Sequence, residues 1–340
     1  MHPNSMPSPK IIAVYGATGN QGRSVVHALL RDKSGGIRPR AITRNSESDF
    51  ARSLKAAGAE VAQANGLNPE DLHIALKDAW GIFVNTDSDD PSIGNVGSPS
   101  ETDLGKGIVD IAIKAGIKCF VYSGLASAGL LTDGNVKSDC FDEKYAIAKY
   151  AEAQPFEYVA TISAGWYMEN FLSEELCSVF GGFPHFTDED NVLTLSWPSW
   201  GGNAEVPLTS IAADFGDLVH GILLQPAKFN RAFIQGLSQS RTSEEVVKDF
   251  EQVTGKKARY IPMQDCKSFN TRGKRFLTTV QQMFDYCQQC GGLYFGAQPS
   301  IREAVELKRL AAAAQGRPRE DARLQSMKEF FQDHFGGKEF

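Results

Sequence analysis

The sequence has no block of basic residues, and its 41 acidic side chains outnumber its 35 lysines and arginines. With a net charge of −6, the chain lacks the positive surface that binds nucleic-acid phosphates, so we expect no direct nucleic-acid binding. No apolar run approaches the roughly 20 residues that span a bilayer, so we expect no membrane segment. Residues 1–9 contain no apolar stretch of the kind that a secretory signal requires, and we predict a disordered tail there.

Cysteine is scarce and scattered, with six residues in a chain of 340. This spacing gives no disulfide framework, which predicts free thiols in a reducing compartment and a cytosolic or nucleocytoplasmic location. Cys287 and Cys290 form one C-x-x-C pair, but no second pair and no nearby histidine complete a zinc site. We therefore predict incidental thiols and no metal. Hydrophobic residues make up 42% and charged residues 22%, which is typical of a globular protein.

Near its start the chain contains a glycine motif between a predicted strand and a predicted helix. The apolar run Ile11–Val14 predicts a buried strand, and the amphipathic pattern of residues 25–30 predicts the helix. In the spacing G-x-x-G-x-x-G, the glycines allow a tight turn, an approach of backbone amides to a diphosphate, and close helix packing. The motif predicts that dinucleotide phosphates are bound by Gly16, Ala17, Thr18, Gly19, Asn20, Gln21 and Gly22.

The second predicted strand ends in Thr43, Arg44 and Asn45, where dinucleotide-binding folds contact the adenosine ribose. A carboxylate there would accept a hydrogen bond from the 2′-hydroxyl of NAD, whereas a guanidinium suits the 2′-phosphate of NADP. The alternative is that Arg44 is an ordinary exposed cation. We predict NADP(H) as the cofactor, with its adenine beside Asn65 and Gly66 at the end of the third strand.

Strands and helices alternate from residue 10 to residue 163, which predicts an α/β fold of the Rossmann type with a doubly wound parallel sheet. This NADP-binding domain is expected to cover residues 10–163, with later returns near residues 204–240. Residues 164–203 and 241–340 are assigned to a smaller domain on the substrate or partner side.

Two further segments of the sequence have open interpretations. The polar residues 86–100 follow Asn85, at the edge where open α/β sheets bind ligands, and form either a mobile lid or an uninvolved loop. Aromatic side chains are frequent between Phe180 and Trp200. They are either part of the core or the lining of a site for a flat apolar substrate.

Three more motifs carry a resemblance to a known family, namely Val121-Tyr122-Ser123-Gly124, Phe141-Asp142-Glu143-Lys144 and Tyr167-Met168-Glu169-Asn170-Phe171. Together with the glycine motif, they make the chain similar to the NmrA-like family of atypical short-chain dehydrogenases/reductases from Lys10 onward. The resemblance implies a Rossmann domain that prefers NADP(H) and a smaller, mainly helical domain that completes the nicotinamide cleft. It further implies cofactor contacts from Thr86, Asp87, Lys144, Tyr167 and Asn170, next to Asn85 at the strand end.

Working short-chain dehydrogenases place a tyrosine four residues before the lysine that lowers its pKa. In this chain Cys140 takes that position, either as a thiol donor, as an oxidation sensor or as a small buried side chain. A second Y-x-x-x-K spacing, Tyr145 and Lys149, remains an alternative pair, although Tyr145 projects about 100° away from its neighbour on a helix. The chain also resembles relatives that rely on the lysine alone for proton handling. The candidate catalytic residues are Lys144, Ser123 and Tyr167.

Two functions agree with these features. One is an NADPH-dependent oxidoreductase that reduces a small organic compound with a carbonyl or unsaturated bond. The other is a catalytically inactive sensor of NADPH and NADP⁺ that regulates a protein partner such as a transcription factor, because the family includes regulators as well as reductases. The expected partner is thus a small-molecule substrate or a regulatory protein, and the expected assembly is a monomer or a homodimer.

The strand end at Arg44 makes cofactor preference testable. We expect the wild type to bind NADP(H) at least about tenfold more tightly than NAD(H), because a charge-assisted contact is worth roughly 1.5–3 kcal/mol. Arg44→Ala should weaken NADPH by that factor and leave NADH nearly unchanged, and Arg44→Asp should weaken NADPH further by repulsion. Calorimetry of the three proteins with both cofactors measures this. Equal losses for NADPH and NADH in Arg44→Ala would contradict a phosphate contact.

Overall fold

The computed structural model of the chain describes residues 8–337, so residues 1–7 of the predicted tail lie outside the described residues. Twelve strands occur in the described part, in chain order β1 (Lys10–Tyr15), β2 (Ile37–Thr43), β3 (Glu60–Gln63), β4 (Ala79–Val84), β5 (Cys119–Ser123), β6 (Tyr158–Ala164), β7 (Trp166–Tyr167), β8 (Leu193–Leu195), β9 (Val206–Thr209), β10 (Phe233–Gly236), β11 (Gln239–Arg241) and β12 (Ala258–Tyr260).

The helices of the described chain are α1 (Asn20–Leu30), α2 (Asp49–Ala56), α3 (Pro69–Ala75), α4 (Glu101–Lys114), α5 (Ala128–Leu131), α6 (Asp139–Glu152), α7 (Glu174–Ser178), α8 (Gly216–Leu224), α9 (Ser243–Thr254), α10 (Arg275–Gln289), α11 (Arg302–Ala314) and α12 (Met327–Phe335). A π-helical turn, Ile211–Phe215, leads into α8. Short 3₁₀ turns occur at Met168–Leu172, Cys266–Ser268 and Arg319–Ala322.

Seven strands form one parallel sheet in the order β10-β6-β5-β4-β1-β2-β3. The chain moves outward from β1 through β2 and β3, then returns to β4 on the other side of β1. This reversal is the topological switch point at which open α/β sheets bind ligands, beyond the carboxyl ends of the strands. The predicted Rossmann-type architecture is confirmed.

The remaining strands belong to a smaller region beside the carboxyl edge of the large sheet. Strands β7, β9 and β11 make a three-stranded sheet, and β8 pairs with β12. Helices α9, α10 and α12 surround a core of aromatic side chains. The aromatic residues between Phe180 and Trp200 lie mainly in this core, since Phe180, Phe183, Trp197 and Trp200 are buried and Phe186 alone of the cluster is exposed. They do not line the cleft.

Helix α11 departs from the domain division drawn from the sequence. Residues 241–340 were assigned to the smaller domain, yet α11 packs along α8 and contributes Ala304 and Leu307 to the core that also holds Val25 and Leu29 of α1. It therefore belongs structurally with the large sheet. Helix α11 follows most of the smaller region in the sequence, and no boundary in the sequence shows that the chain has come back to the large sheet.

A network of buried charges joins α1, α8 and α11. Asp217 of α8 is buried and accepts from Arg31 (2.9 Å), Lys308 (2.8 Å) and Arg317 (2.5 Å). Burial opposes ionisation, but Lys308 and the other donors outweigh it and lower the pKa of Asp217 to about 2. The carboxylate is thus ionised at neutral pH, and it holds together three helices that are far apart in sequence.

Within residues 8–337, no helix combines the length and the apolar character that a membrane span needs.

The network around Asp217 predicts a large loss of stability on substitution. Asp217→Asn leaves three cations without their common carboxylate, and removing one partner of a buried ion pair costs about 3–5 kcal/mol. Denaturant unfolding followed by circular dichroism measures the loss. Glu306→Gln on α11 is the control, because its pair with Lys228 is about half exposed on both sides and contributes less than about 1 kcal/mol. Equal losses in both variants would contradict a special role for Asp217.

The same carboxylate contributes to acid sensitivity. Its pKa is lowered on folding, so its stabilisation is fully present above the unfolded value of about 3.9 and is lost as the pH falls towards about 2. In Asp217→Asn we expect a smaller loss of stability between about pH 4 and pH 2 than in the wild type. Unfolding midpoints measured across that range test this, and identical slopes would contradict it.

Candidate functional site

A cleft of about 830 Å³ opens at the switch point, within the 300–1,000 Å³ typical of small-molecule sites. The carboxyl ends of β1, β2, β4 and β5 form its floor, because parallel strands deliver their following loops to one edge of the sheet. Helices α6 and α10 close the far end. The lining includes fourteen of the residues proposed from the sequence, namely Gly16, Thr18, Gly19, Asn20, Gln21, Thr43, Arg44, Asn45, Asn85, Thr86, Asp87, Lys144, Tyr167 and Asn170, and also Ser123.

The glycine motif is shaped by close backbone contacts. Gly16 has a φ of +77°, and a Cβ there would lie 2.6 Å from the carbonyl oxygen of Asn85. At Gly22 a Cβ would lie 2.2 Å from the carbonyl oxygen of Gly16, so helix α1 can approach β1 only without a side chain. Gly19 caps α1 and offers no side-chain acceptor to the first-turn amides. Gly19, Asn20 and Gln21 line the cleft, so the uncapped helix N-terminus lies at its wall, and such a terminus suits an anion.

Four of the proposed cofactor residues are not part of the cleft lining. Ala17 is fully buried in the core, and Gly22 serves helix packing. A Cβ at Gly66 would lie 2.4 Å from the hydroxyl oxygen of Tyr15, so only glycine fits there without a shift of that side chain. The side chain of Asn65 accepts a hydrogen bond from the amide of Leu67. Ala64, the residue before this loop, does line the cleft. Turn geometry explains Asn65 and Gly66 without a ligand.

Arg44 lines the cleft directly after β2, but its guanidinium is not free. Its guanidinium donates to the carboxylate of Asp90, which arrives in the segment after β4. The sequence has no carboxylate at the end of β2 itself. In the fold, the carboxylate of Asp90, 46 residues further along the chain, lies beside Arg44. No local motif identifies Asp90.

Lys144 lies on α6 with its ammonium buried in the cleft wall. It donates to the carbonyl oxygen of Thr86 (2.7 Å), to the hydroxyl of Thr86 (2.9 Å) and to Glu101 (2.6 Å). Burial lowers the pKa of Lys144, but Glu101 raises it by more, and the net pKa is well above the ordinary value. Burial raises the pKa of Glu101, yet Lys144 outweighs it and lowers the net value. Both side chains are charged, and the three hydrogens of the ammonium are used.

Glu101 was not anticipated from the sequence. Ser100 and Asp103 form a capping box that starts α4, and this places Glu101 in the first helical turn with its side chain turned inward. A capping box is a sequence signal for the helix start, but it does not reveal which first-turn carboxylate is buried. The hydroxyl of Thr86 lies 3.0 Å from that of Tyr122, which extends the polar cluster.

The hydroxyl of Tyr167 also reaches the cleft. The side-chain amide of Gln21 donates to it over 2.6 Å, so the tyrosine's own hydrogen stays available to a ligand. Burial raises the pKa of Tyr167 and keeps the phenol protonated at neutral pH. Ser123 is buried at the end of β5, lines the cleft and makes no hydrogen bond through its hydroxyl within the described chain. Two hydroxyl groups therefore face the cleft with donors to spare.

The other cysteine and tyrosine candidates have structural explanations. Cys140 lines the cleft and accepts from the hydroxyl of Ser88 at 3.2 Å, while burial raises its pKa to about 11. It is a neutral thiol rather than a reactive thiolate. Tyr145 and Lys149 lie outside the cleft, and Lys149 pairs with Glu152 at the surface. The second Y-x-x-x-K spacing is not part of this site.

The far end of the cleft is apolar. Five apolar side chains form it, from the loop after β5, from α6, from α10 and from the segment after α10: Leu125, Phe141, Val280, Met283 and Tyr294. Phe141 belongs to the motif that ends in Lys144, whereas the other four carry no motif in the sequence. The segment 86–100 forms one wall, with Asp87, Ser88, Asp89 and Asp90 at the lining. Its Ile93 is fully buried, and Arg275 of α10 donates to the Ile93 carbonyl at 3.1 Å. The segment is thus an anchored part of the cleft wall, and its role as a lid stays a prediction.

Within residues 8–337, no group of three or more histidine, cysteine or acidic side chains is arranged to hold a metal ion. All six cysteines are free, including Cys287 and Cys290 at the end of α10.

The parallel sheet and the glycine-lined cleft at its switch point define the chain as a Rossmann-type α/β protein. The sequence pattern of the NmrA-like family matches residues 8–314, and the chain belongs to that family. It is 46% identical over 331 residues to the NmrA-like family domain-containing oxidoreductase FrzB of Cladobotryum sp, covering 96% of this chain and 98% of that protein. The corresponding oxidoreductase lnaB of Aspergillus flavus is 42% identical, with coverages of 97% and 99%.

Solved structures give the same fold at low sequence identity. NmrA, a negative transcriptional regulator solved in complex with NADP, superimposes with a TM-score of 0.73 at 20% identity, covering 96% of each chain. The triphenylmethane reductase of Citrobacter sp., solved with NADP(H), gives a TM-score of 0.67 at 19% identity, covering 95% of this chain and 99% of that one. The neighbours include both a regulator and a reductase, so the fold does not choose between these functions.

The geometry of the glycine turn makes Gly19→Val a selective test of the cleft. A Cβ at Gly19 would meet only the carbonyl oxygen of Gly16, at 3.4 Å, so the fold should persist. The larger side chain would fill the space where a diphosphate meets the amides of α1, and NADPH binding should fall below detection in a fluorescence titration. Gly107→Val on α4 is the control, because a Cβ there meets nothing within 4 Å. Normal titration of a folded Gly19→Val protein would contradict this assignment.

Proposed function

We propose that this protein is an NADP(H)-dependent oxidoreductase that reduces a small organic compound with a carbonyl or unsaturated bond. The observation that carries the proposal is that one continuous cleft is lined both by the glycine turn and by two available hydroxyl groups, those of Ser123 and Tyr167. A cofactor bound along it would bring its nicotinamide beside Ser123 and Tyr167. The apolar far end then has room for an uncharged organic molecule.

The residues present fit the cofactor. The uncapped first turn of α1 suits the diphosphate, and Arg44 suits the 2′-phosphate of the adenosine. Asn85, Thr86 and Asn170 would lie along the nicotinamide half. NADPH bound there supplies a hydride from its nicotinamide ring, and the protein must then provide orientation and a proton.

Tyr167 is the proposed proton donor. Its phenol is protonated at neutral pH, it lines the cleft, and Gln21 orients it through the glycine motif without using its hydrogen. Ser123 is the proposed donor that polarises the substrate oxygen. Lys144 has a different role, since all of its hydrogens are used by Thr86 and Glu101. It contributes a fixed positive charge to the wall and does not transfer a proton.

The relatives support the oxidoreductase proposal. Two proteins more than 40% identical to this chain over nearly its whole length are named oxidoreductases. At that level of identity, the same fold and a similar site are expected, whereas the chemistry depends on the particular side chains of the cleft. The names leave the substrate open.

A second candidate function is a sensor that binds NADP(H) without turnover and regulates a protein partner. One observation favours it, namely the absence of the tyrosine–lysine pair of working short-chain dehydrogenases, since Cys140 stands at the tyrosine position and Lys144 is held by Glu101. A sensor of this kind requires that the partner bind NADPH-loaded and NADP⁺-loaded protein with different affinity.

Turnover separates the two functions. The purified protein is incubated with NADPH and a panel of aromatic aldehydes, cyclic enones and para-quinones, and NADPH consumption and product are followed together. Reduction of at least one class, with product formed in proportion to NADPH consumed, supports the oxidoreductase. NADPH binding without turnover of any compound contradicts it and favours the sensor.

The role of Tyr167 gives a sharper prediction. Tyr167→Phe removes the proton donor, and general acid catalysis contributes typically 10²–10⁴-fold, so we expect kcat to fall at least about hundredfold. NADPH affinity should change less than about threefold, since the phenyl ring remains. Tyr145→Phe, on α6 outside the cleft, is the matched control and should behave like the wild type. An unchanged kcat in Tyr167→Phe would mean that another group donates the proton, and it would contradict the assignment of Tyr167.

A further inference from the structure

The guanidinium of Arg44, to which the proposed function assigns the 2′-phosphate, already has an anionic partner. Its Nη1 donates to Oδ2 of Asp90, and these two residues are 46 positions apart in sequence. Asp90 lines the same cleft. A phosphate that approaches Arg44 therefore meets a carboxylate next to it, and the two anions share one cation.

Asp90 is the fixed partner in this pair. Its side chain is only 11% exposed, and Oδ1 accepts from the amide of Ser92 at 2.8 Å and from the hydroxyl of Ser92 at 2.6 Å. The segment around it is anchored by the fully buried Ile93, whose carbonyl accepts from Arg275. Burial opposes ionisation of Asp90, but Ser92 and Arg44 outweigh it and lower its pKa, so the carboxylate is charged at neutral pH.

Arg44 is the movable partner. Its side chain is 54% exposed, and Nη1 is the one nitrogen of its guanidinium that takes part in a hydrogen bond within the described chain. Nε and Nη2 remain available to a ligand. A long, half-exposed side chain can turn towards a new anion, whereas Asp90 cannot follow it, because Ser92 and the buried segment hold the carboxylate in place.

We infer that Asp90 is a specificity-determining residue that lowers the preference of this protein for NADP(H) over NAD(H) by competing with the 2′-phosphate for Arg44. The inference rests on the proposed function, since it presumes that NADP(H) binds in this cleft. NAD(H) carries a neutral 2′-hydroxyl and draws no charge away from Asp90. NADP(H) must share or displace the existing ion pair between Asp90 and Arg44.

The test is Asp90→Asn, which keeps the shape and the acceptor for Ser92 and removes the charge. Exposed ion pairs are worth up to about 1 kcal/mol, so we expect NADPH to bind about two- to fivefold more tightly. The fragment 2′,5′-ADP should gain by the same factor. NADH and 5′-AMP, which lack the phosphate, should change less than twofold. Calorimetry at fixed ionic strength measures all four ligands, and no turnover is required.

Two controls isolate the contact. Asp49→Asn removes the same charge from the start of α2, where the side chain is 95% exposed and pairs with Arg52, and it should leave all four affinities unchanged. In an Arg44→Ala background, Asp90→Asn should no longer improve NADPH binding. If the gain persists without Arg44, Asp90 acts by direct repulsion and the competition is refuted. If Asp49→Asn gives the same gain, the effect is general electrostatics and the inference is also refuted.

The outcomes separate this inference from the proposed function. If the wild type binds NADPH and the folded Asp90→Asn variant binds it with unchanged or weaker affinity, the inference is overturned. The proposed function is left intact by that result. Binding of neither NADPH nor NADH to the wild type overturns both. Thermal unfolding verifies that the variant is folded. Should the asparagine variant unfold, Asp90→Ser, which retains an oxygen for the Ser92 amide, takes its place in the same measurements.

Discussion

The cleft depends on one buried ion pair, between Lys144 of α6 and Glu101 of α4. Neither charge is tolerable there alone, since breaking a buried pair costs about 3–5 kcal/mol. Thr86 completes the hydrogen bonds of the ammonium. Thr86 begins the segment 86–100 and Glu101 directly follows it, so Lys144 holds the two ends of this segment together through its bonds to both residues. The middle of the segment lines the wall of the cleft. The main role of the ion pair between Lys144 and Glu101 is therefore to hold this part of the fold together.

This arrangement divides the work of the cleft among different side chains. The ammonium of Lys144 uses all three of its hydrogens to hold Thr86 and Glu101, whereas the hydroxyl of Tyr167 accepts from Gln21 and keeps its own hydrogen. Gln21 of the glycine motif donates directly to the hydroxyl of Tyr167, so this hydroxyl is held beside the glycine turn. The segment 86–100 makes a further connection, because it contacts Arg44 after β2 through Asp90 and Arg275 of α10 through the carbonyl of Ile93.

Much of the fold and part of the candidate site could be predicted from local patterns. The strand, glycine turn and helix at residues 10–30 follow from short-range periodicity and backbone sterics, and the structure has them where they were expected. Fourteen proposed cofactor residues line one cleft, since loops at the carboxyl ends of parallel strands must converge. The exceptions, such as Asn65 and Gly66, are explained by a turn that needs the same residue types as a binding loop.

The sequence by itself determined the α/β architecture, the family and the glycine turn, because periodicity and motif spacing are local properties. Only the tertiary structure decided which charges meet. Asp90 contacts Arg44, 46 residues away in sequence, and Glu101 contacts Lys144, 43 residues away. No motif spacing in the chain predicts either contact. Likewise, the apolar end of the cleft and the return of α11 to the large sheet depend on packing between distant helices. Long-range contacts of this kind depend on how entire helix and sheet faces pack against each other, and they cannot be predicted from single residues in the sequence.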